Sequence, residues 1–172
     1  MRRNPFSRWL VLLACGMLLG TAHLFATQSN SAPQHDHHMA EVKEHGADAM
    51  GFDQDKTAHH FFLSKDGGVL TVQAKDPKDA VSISRIQHHL ALQAGNFSRG
   101  DFGAPEHTHG QVPPGVPTMQ KMKDKIRYQF RKSPQGGKLR ISSSNSSAVE
   151  AVHQFLKFQI QEHQTGDPTH RE

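Results

Sequence analysis

Cysteine is almost missing from this chain of 172 residues, and its single copy is Cys15, close to the N-terminus. The sequence beyond that position therefore predicts no disulfide and no thiolate ligand. Motifs of common catalytic sites are missing as well: there is no Gly-x-Ser-x-Gly, no His-Glu-x-x-His, no phosphate-binding glycine loop and no Cys-x-x-Cys-His. Any metal chemistry would have to use histidine, methionine and carboxylate side chains.

The first 26 residues resemble a bacterial secretory leader. Arg2, Arg3 and Arg8 form a positively charged stretch, and an apolar run follows over residues 9–26. We expect export to the periplasm or the medium. Two alternatives are lipid attachment at Cys15 and an uncleaved leader that anchors the chain in the inner membrane. Contact with the membrane is expected only through such a leader.

Most of the net charge belongs to this leader. The full chain has 20 basic and 16 acidic residues, a formal charge of +4, and three of the basic residues lie in the leader, which leaves 17. A nearly neutral remainder does not favour nucleic acid as a partner. The composition is unusual instead in its 14 histidines, far above ordinary usage.

Residues 27–50 are rich in Ser, Asn, Gln, His and Ala and offer little apolar surface to bury. This composition favours a flexible segment. The segment carries His35, His37 and His38, and such a tract can capture metal ions with little selectivity without a fixed structure.

Residues 51–168 predict one α+β domain made of two ββα units, at about 57–101 and 126–167. Each unit has two β-rich runs joined by a Gly-Gly turn, then a helix with apolar residues at helical spacing. The two units would pair into a four-stranded antiparallel sheet with both main helices on one face. Because the turn, the cap and a closing Gly-Asp recur in both halves, the sequence favours a duplicated ββα–ββα unit.

Capping residues predict where the two main helices begin. Asp76 followed by Pro77 is typical of a helix start, with the Asp as N-cap and the Pro in the first turn. Ser147 with Glu150 resembles a capping box for the last helix, which would end at Gly166.

Alignment of the two halves sorts the histidines into groups. His59, His89 and His163 stand where the other half has an aromatic residue, which predicts positions facing the core. The histidines that stand opposite glutamine, and are therefore expected at the surface, are His60, His88 and His153. A buried imidazole needs a hydrogen-bond partner, and one shared metal ion would satisfy several at once.

Residues 101–117 are rich in Pro and Gly and predict a loop, with a short helix starting near Met119. In an extended chain His107 and His109 would point to the same side, which suits two adjacent coordination positions. Met119 adds a thioether, a ligand that favours Cu(I).

The sequence is therefore interpreted as an exported histidine-rich metal-binding protein for metal capture or homeostasis in the periplasm, with copper first and zinc second. No catalytic residue is predicted. The predicted metal ligands are His59, His60, His89, His107, His109, Met119 and His163, with His35, His37 and His38 as auxiliary ligands.

Two alternatives stay open at this point. One is a protein-interaction or scaffold module of the cell envelope, with another envelope protein as partner, which expects His59, His89 and His109 to lie far apart. The other is a small metal-dependent enzyme, which needs an open coordination position and a nearby carboxylate such as Asp53 or Glu106.

Several motifs resemble a family of small exported bacterial proteins of uncharacterised activity, and the resemblance covers nearly all of residues 51–167. The motifs are Gly-Phe-Asp-Gln at 51–54, Thr-x-His-His-Phe at 57–61, His-Gly-Gln-x-Pro-Pro-Gly-Val at 109–116 and Phe-Leu-x-Phe-Gln-Ile-x-x-His-x-Thr-Gly-Asp at 155–167. Some relatives carry an aspartate carbamoyltransferase label. This sequence does not support that label, because it lacks the Ser-x-Arg-Thr phosphate-binding motif and export would separate it from cytoplasmic carbamoyl phosphate.

Overall fold

The computed structural model describes residues 37, 40, 42, 44–47 and 49–170, so the leader, His35 and His38 lie outside the described residues. Its centre is a four-stranded antiparallel sheet in the order β1-β2-β4-β3. The strands are β1 (Thr57–Ser64), β2 (Gly67–Ala74), β3 (Arg127–Ser133) and β4 (Gly136–Ser142). Two hairpins thus join through their second strands, which confirms the predicted α+β class and sheet.

In the described chain beyond residue 50, four α-helices connect and cover the strands: α1 (Ala80–Ser98), α2 (Gly103–His109), α3 (Val116–Lys121) and α4 (Ser146–Glu162). Two short 3-10 turns lie at Gln54–Lys56 and Lys123–Lys125. The long helices α1 and α4 each follow a hairpin and pack on the same face of the sheet, as the sequence predicts. That the two halves are copies of one unit stays a prediction.

Strand alternation separates an apolar face from a basic one. Phe61, Leu70, Leu139 and Phe130 are direct neighbours across the four strands and face the helices. The opposite face of β3 and β4 carries the basic side chains Arg127, Arg131, Lys138 and Arg140. The core therefore lies between one face of the sheet and the two long helices.

Both predicted helix starts are wrong by a few residues. Helix α1 begins at Ala80, with Asp79 as the N-cap whose carboxylate accepts from the backbone N–H of Ser82 at 3.0 Å. Asp76 closes the preceding turn instead, where it accepts from the N–H of Lys78 at 2.8 Å. The chain needs this turn to leave β2 and cross back over the sheet before a helix can begin.

Helix α4 is capped two residues before the predicted Ser147. Asn145 accepts from the N–H of Ala148 at 3.1 Å, and the helix ends at Glu162 rather than at Gly166. When Asp79 and Asn145 are aligned as equivalent N-caps, the residues of the two helices match one to one, without a gap, as far as Gly100 and Gly166.

The predicted loop at 101–117 is wrong over much of its length, since α2 and the start of α3 occupy it. Phe102 is 1% exposed and anchors the start of α2 in the core. Pro105 lies in the first turn, where a helix leaves its N–H groups unpaired and proline costs little. Helical rather than extended geometry then sends His107 outward to solvent and His109 inward.

The described residues between 37 and 50, where the sequence favours a flexible segment, are helical. Val42 is 3% exposed, and its carbonyl accepts from Gln54 Nε2 at 3.4 Å. The N–H of Gly51 bonds to the carbonyl of Ala47 at 2.9 Å and continues this helical pattern. A buried apolar side chain and a contact to the domain explain why this stretch takes regular structure.

Substitution of Gly115 tests how closely α3 must approach α4. Its φ is +85°, and an added methyl group would overlap the carbonyl oxygen of Ala151. We expect Gly115→Ala to lower the free energy of unfolding by about 3 kcal/mol, from backbone strain together with overpacking. Urea denaturation followed by circular dichroism measures this change.

Gly110 supplies the matched control, because its φ is +63° and nothing lies within 4 Å of an added methyl group. Gly110→Ala should cost only the backbone strain of about 1–2 kcal/mol. Equal losses for the two variants would contradict close packing of α3 on α4.

Candidate functional site

Four histidines from four different elements line one cavity of about 60 Å³ beneath the helices. His59 lies on the inward face of β1, His89 on α1, His109 at the last residue of α2, and His163 directly after α4. The rest of the lining is mainly apolar, including Phe61, Leu90, Phe97 and Phe155. The interaction-module alternative expects His59, His89 and His109 far apart, and this is not the arrangement found.

The rings form a connected row. His163 is central: its ring centroid lies 5.4 Å from that of His59, with the rings 7° from parallel, and 5.1 Å from that of His109, with the rings at 77°. Phe52 joins His89 to the row, since it packs against His59 at 6.1 Å and edge-on to His89 at 5.6 Å.

Partial burial holds three of these imidazoles in the neutral form at pH 7. Loss of water around the ring lowers the pKa of His59 and of His89 to about 4 and that of His163 to about 3. Repulsion from neighbouring histidines acts in the same direction: His89 and His60 on His59, and His59 and His109 on His163. A neutral imidazole keeps a nitrogen lone pair, which is the form that binds metal ions.

His109 is tied to helix α4 by polar contacts. Its Nε2 lies 3.1 Å from Oε1 of Gln159, and its Nδ1 lies 3.7 Å from Oε2 of Glu162. His109 is therefore oriented by its surroundings, although its side chain is only 1% exposed.

A larger outer cleft of about 630 Å³ adjoins the cavity. His59 and His163 line both, so this stacked pair separates the cleft from the inner cavity. Ala40 and Val42 from the N-terminal helical stretch, together with Glu162, line the cleft. A ligand that enters this cleft from solvent would meet Glu162, Lys75 and His60 as well as the histidine pair.

Other predicted ligands lie outside the cavity. His60 points to the opposite face of β1, where its Nδ1 lies 3.0 Å from Oδ1 of Asp167, and the other oxygen of that carboxylate accepts from the N–H of Phe61 at 2.9 Å. His107 is exposed, and its ring lies 5.3 Å from that of His45. Met119 is fully buried in the apolar core.

Two further histidines have clear positions. His153, expected at the surface, is 6% exposed, and its Nε2 lies 2.9 Å from the carbonyl of Ser64 and 3.0 Å from that of Gly67. It therefore secures the β1–β2 turn. His37 is exposed on the N-terminal helical stretch.

Among the cavity residues that were not predicted as ligands are Met50, Gln93 and Gln159. Gln93 follows His89 by four residues on α1, and Gln159 precedes His163 by four at the end of α4, so each pair shares a helix face. The two glutamines also occupy matching positions in the two halves, and each lies four residues from a histidine. This repeated spacing is the sequence signal that could have identified them.

Among the residues that the structure describes, no three His, Cys, Asp or Glu side chains are arranged to hold a metal ion. No helix in the described part of the chain is long and apolar enough to cross a membrane. Comparison of the chain with family models, with curated proteins and with solved structures gave no match. The cavity itself is therefore the feature that points to function.

The lowered pKa values predict how the stability of the metal-free protein depends on pH. In the unfolded chain these histidines take up protons below about pH 6.5, whereas in the folded protein they do so only near pH 3–4. The free energy of unfolding should therefore fall as pH drops from 6.5 to 4, with a slope of about 1.4 kcal/mol per pH unit for each histidine. Urea titrations at several pH values in chelator-treated buffer measure it.

His163→Gln should reduce the pH slope of the free energy of unfolding by about 1.4 kcal/mol per pH unit, the contribution of one histidine, because glutamine does not titrate. The exposed His170→Gln should leave it unchanged, because His170 takes no part in lowering the pKa of any cavity histidine. A slope that is the same in all three proteins would show that the buried imidazoles do not control acid stability.

Proposed function

We propose that this chain is an exported metal-binding protein that holds a copper ion, or second a zinc ion, in the histidine cavity. The observation that carries the proposal is the meeting of His59, His89, His109 and His163 at one cavity. Imidazole nitrogen is a good ligand for both ions. Neutral rings do not repel the arriving cation, and no proton has to be displaced at pH 7 from the three rings with lowered pKa.

Binding requires the rings to turn, because in the metal-free arrangement their nitrogens do not converge on one point. Rotation about χ2 of histidine is soft, with broad minima, and it exchanges the positions of the ring nitrogens. Nε2 of His59 is buried and has no hydrogen-bond partner among the described residues, so an ion bound there would repay its desolvation. The ring centroid of His163 lies 5.4 Å from that of His59 and 5.1 Å from that of His109, so His163 is the ring that such turning could bring into a shared site with either neighbour.

The preference for copper rests on Met50, whose side chain lines the same cavity. Thioether sulfur is a soft ligand that favours Cu(I) over Zn²⁺, and the mainly apolar lining suits a singly charged ion. Met119, the methionine that the sequence favours, lies in the apolar core instead.

The outer cleft supplies a route to this site. Glu162 and the stacked His59–His163 pair lie along it. His37 lies on the N-terminal helical stretch, His35 and His38 are its near neighbours in sequence, and Ala40 and Val42 of that stretch line the cleft. We propose that these histidines capture ions in the periplasm and raise their local concentration near the cleft.

Cu(I) binding by the purified protein tests the proposal, measured by competition with a chromophoric chelator under reducing conditions. His59→Gln and His163→Gln should each weaken the tightest site by at least about tenfold, because each removes a ligand from a coordinated set. His88→Gln is the matched control, since His88 is exposed on α1 next to His89. If the chain takes up neither copper nor zinc at micromolar concentration, the proposed function is wrong.

The roles of the three N-terminal histidines and of Met50 are separable by substitution. Replacing His35, His37 and His38 together by Gln should remove weakly bound copper and leave the tight site unchanged. Met50→Leu should lower Cu(I) affinity while leaving zinc affinity within about twofold, because the thioether matters only for the soft ion. Met122→Leu, outside the cavity lining, is the control for a general effect of losing a methionine. Equal losses for copper and zinc in Met50→Leu would contradict Met50 as a copper ligand.

A further inference from the structure

The sheet has a second border at the edge strand β3, and the backbone of that strand offers hydrogen bonds outward. The N–H of Ala74 bonds to the carbonyl of Gln135 at 2.8 Å, which fixes which residues of β4 bond to β2 and which bond to β3. The resulting alternation points the N–H and C=O groups of Tyr128, Phe130 and Lys132 away from β4. In the described part of the chain nothing bonds to these groups.

The two edge strands differ in this respect. Phe61 on β1 and Phe130 on β3 stand in the same row across the sheet. The N–H of Phe61 bonds to the carboxylate of Asp167 at 2.9 Å, whereas the N–H of Phe130 has no such partner among the described residues. An edge strand with unpaired backbone groups can accept another extended chain through main-chain hydrogen bonds. β3 is therefore the strand on which such a chain could be added.

The outer side of this region, which faces away from the helices, is basic. Arg127 and Arg131 lie there on β3 and are exposed, and Lys138 on β4 is the direct neighbour of Arg131. Arg140 is already paired with Asp66 at 2.6 Å, but the other three cations form no ion pair within the described part of the chain. Their charge is thus available to a partner that carries carboxylates.

The inner side of the same edge is apolar. Tyr128 and Phe130 are only partly buried and pack against the core. Gln87 of α1 donates to the carbonyl of Ser133 at 3.3 Å, which directs toward β3 the face of α1 that also carries Ile83. Ile83 is partly buried as well. A strand added at this edge would therefore cover apolar surface with every second side chain.

We infer that β3 is the docking site for an extended acidic segment of another protein, which adds antiparallel to the sheet as a fifth strand. The backbone of the segment pairs with Tyr128, Phe130 and Lys132. Its apolar side chains lie on the inner side, and its carboxylates lie on the outer side opposite Arg127 and Arg131. The pattern that this edge recognises is therefore an alternation of acidic and apolar residues.

The same charges act against pairing between two copies of this chain. β3 of a second molecule would bring its own Arg127 and Arg131 to the outer side, beside those of the first. Like charges on neighbouring strands destabilise the pair, so the edge selects an acidic segment by repulsion as well as by attraction. β3 and the strand that carries His59 are at opposite borders of the sheet, and the inference does not depend on the proposed function.

Fluorescence anisotropy of a labelled peptide, in which valine and glutamate alternate over about seven residues, tests the inference on the full chain. The peptide should bind in a saturable single-site titration. N-methylation of its central valine should weaken binding by about tenfold, because the N–H groups of the inner-side residues of an antiparallel strand point toward β3. N-methylation of the neighbouring glutamate is the matched control. It modifies an N–H that points away from β3 and should leave affinity within about twofold.

Two pairs of variants test the protein side of this contact. Arg131→Glu should weaken peptide binding by about tenfold, whereas Lys157→Glu, which makes the same change of charge at an exposed position of α4, should not. Lys132→Pro removes an outward N–H and should abolish binding. Lys132→Thr loses the same charge but keeps the N–H, and it should bind nearly as the original chain does. Circular dichroism verifies that each variant is folded.

Three results would overturn the inference. The first is a lack of peptide binding by the original chain. The second is equal affinity of the original peptide and the peptide methylated at valine, which would show that charge alone attracts it. The third is a dimer of the chain that the peptide dissociates in sedimentation experiments, which would make a second copy the natural occupant of β3.

Discussion

The burial of imidazole rings between a small sheet and its two long helices is the constraint on which the rest of this structure depends. The inward face of β1 would ordinarily continue as apolar side chains, but His59 interrupts it two residues before Phe61. Once enclosed, these rings lose water and stay neutral, which makes them poor bases and good ligands. The enclosure also needs α2, which the sequence does not suggest, to carry His109 under the helices.

The sheet and the long helices were predictable because their signals are local and repeated. Two Gly-Gly turns between β-rich runs fix two hairpins, and the apolar residues at helical spacing fix α1 and α4. The boundaries were less predictable, because Asp76 and Asp79 are both chemically able to cap a helix and the path of the chain over the sheet decides between them. Likewise Pro105 is compatible with a loop or with the first turn of a helix, and the burial of Phe102 decides that choice.

The candidate site was predictable only where one half of the chain could be compared with the other. Positions that hold an aromatic residue in one half and histidine in the other led to His59, His89 and His163, which share the cavity. His109 also reaches it, but through helical geometry rather than the expected extended loop. His153 looked like a surface residue because it stands opposite glutamine, yet it bonds to two carbonyls of a turn formed by a distant part of the chain. Contacts of that kind depend on tertiary structure and leave no local pattern.

The contact of Asp167 with β1 has a consequence for the outer border of the sheet. β1 is an edge strand, so its outward N–H and C=O groups could pair with a strand from another molecule. The carboxylate of Asp167 occupies the N–H of Phe61 and also holds His60 beside it. The chain that follows α4 thus closes this edge at its middle. A single carboxylate just beyond the last helix thereby limits growth of the sheet from one copy of the protein to the next.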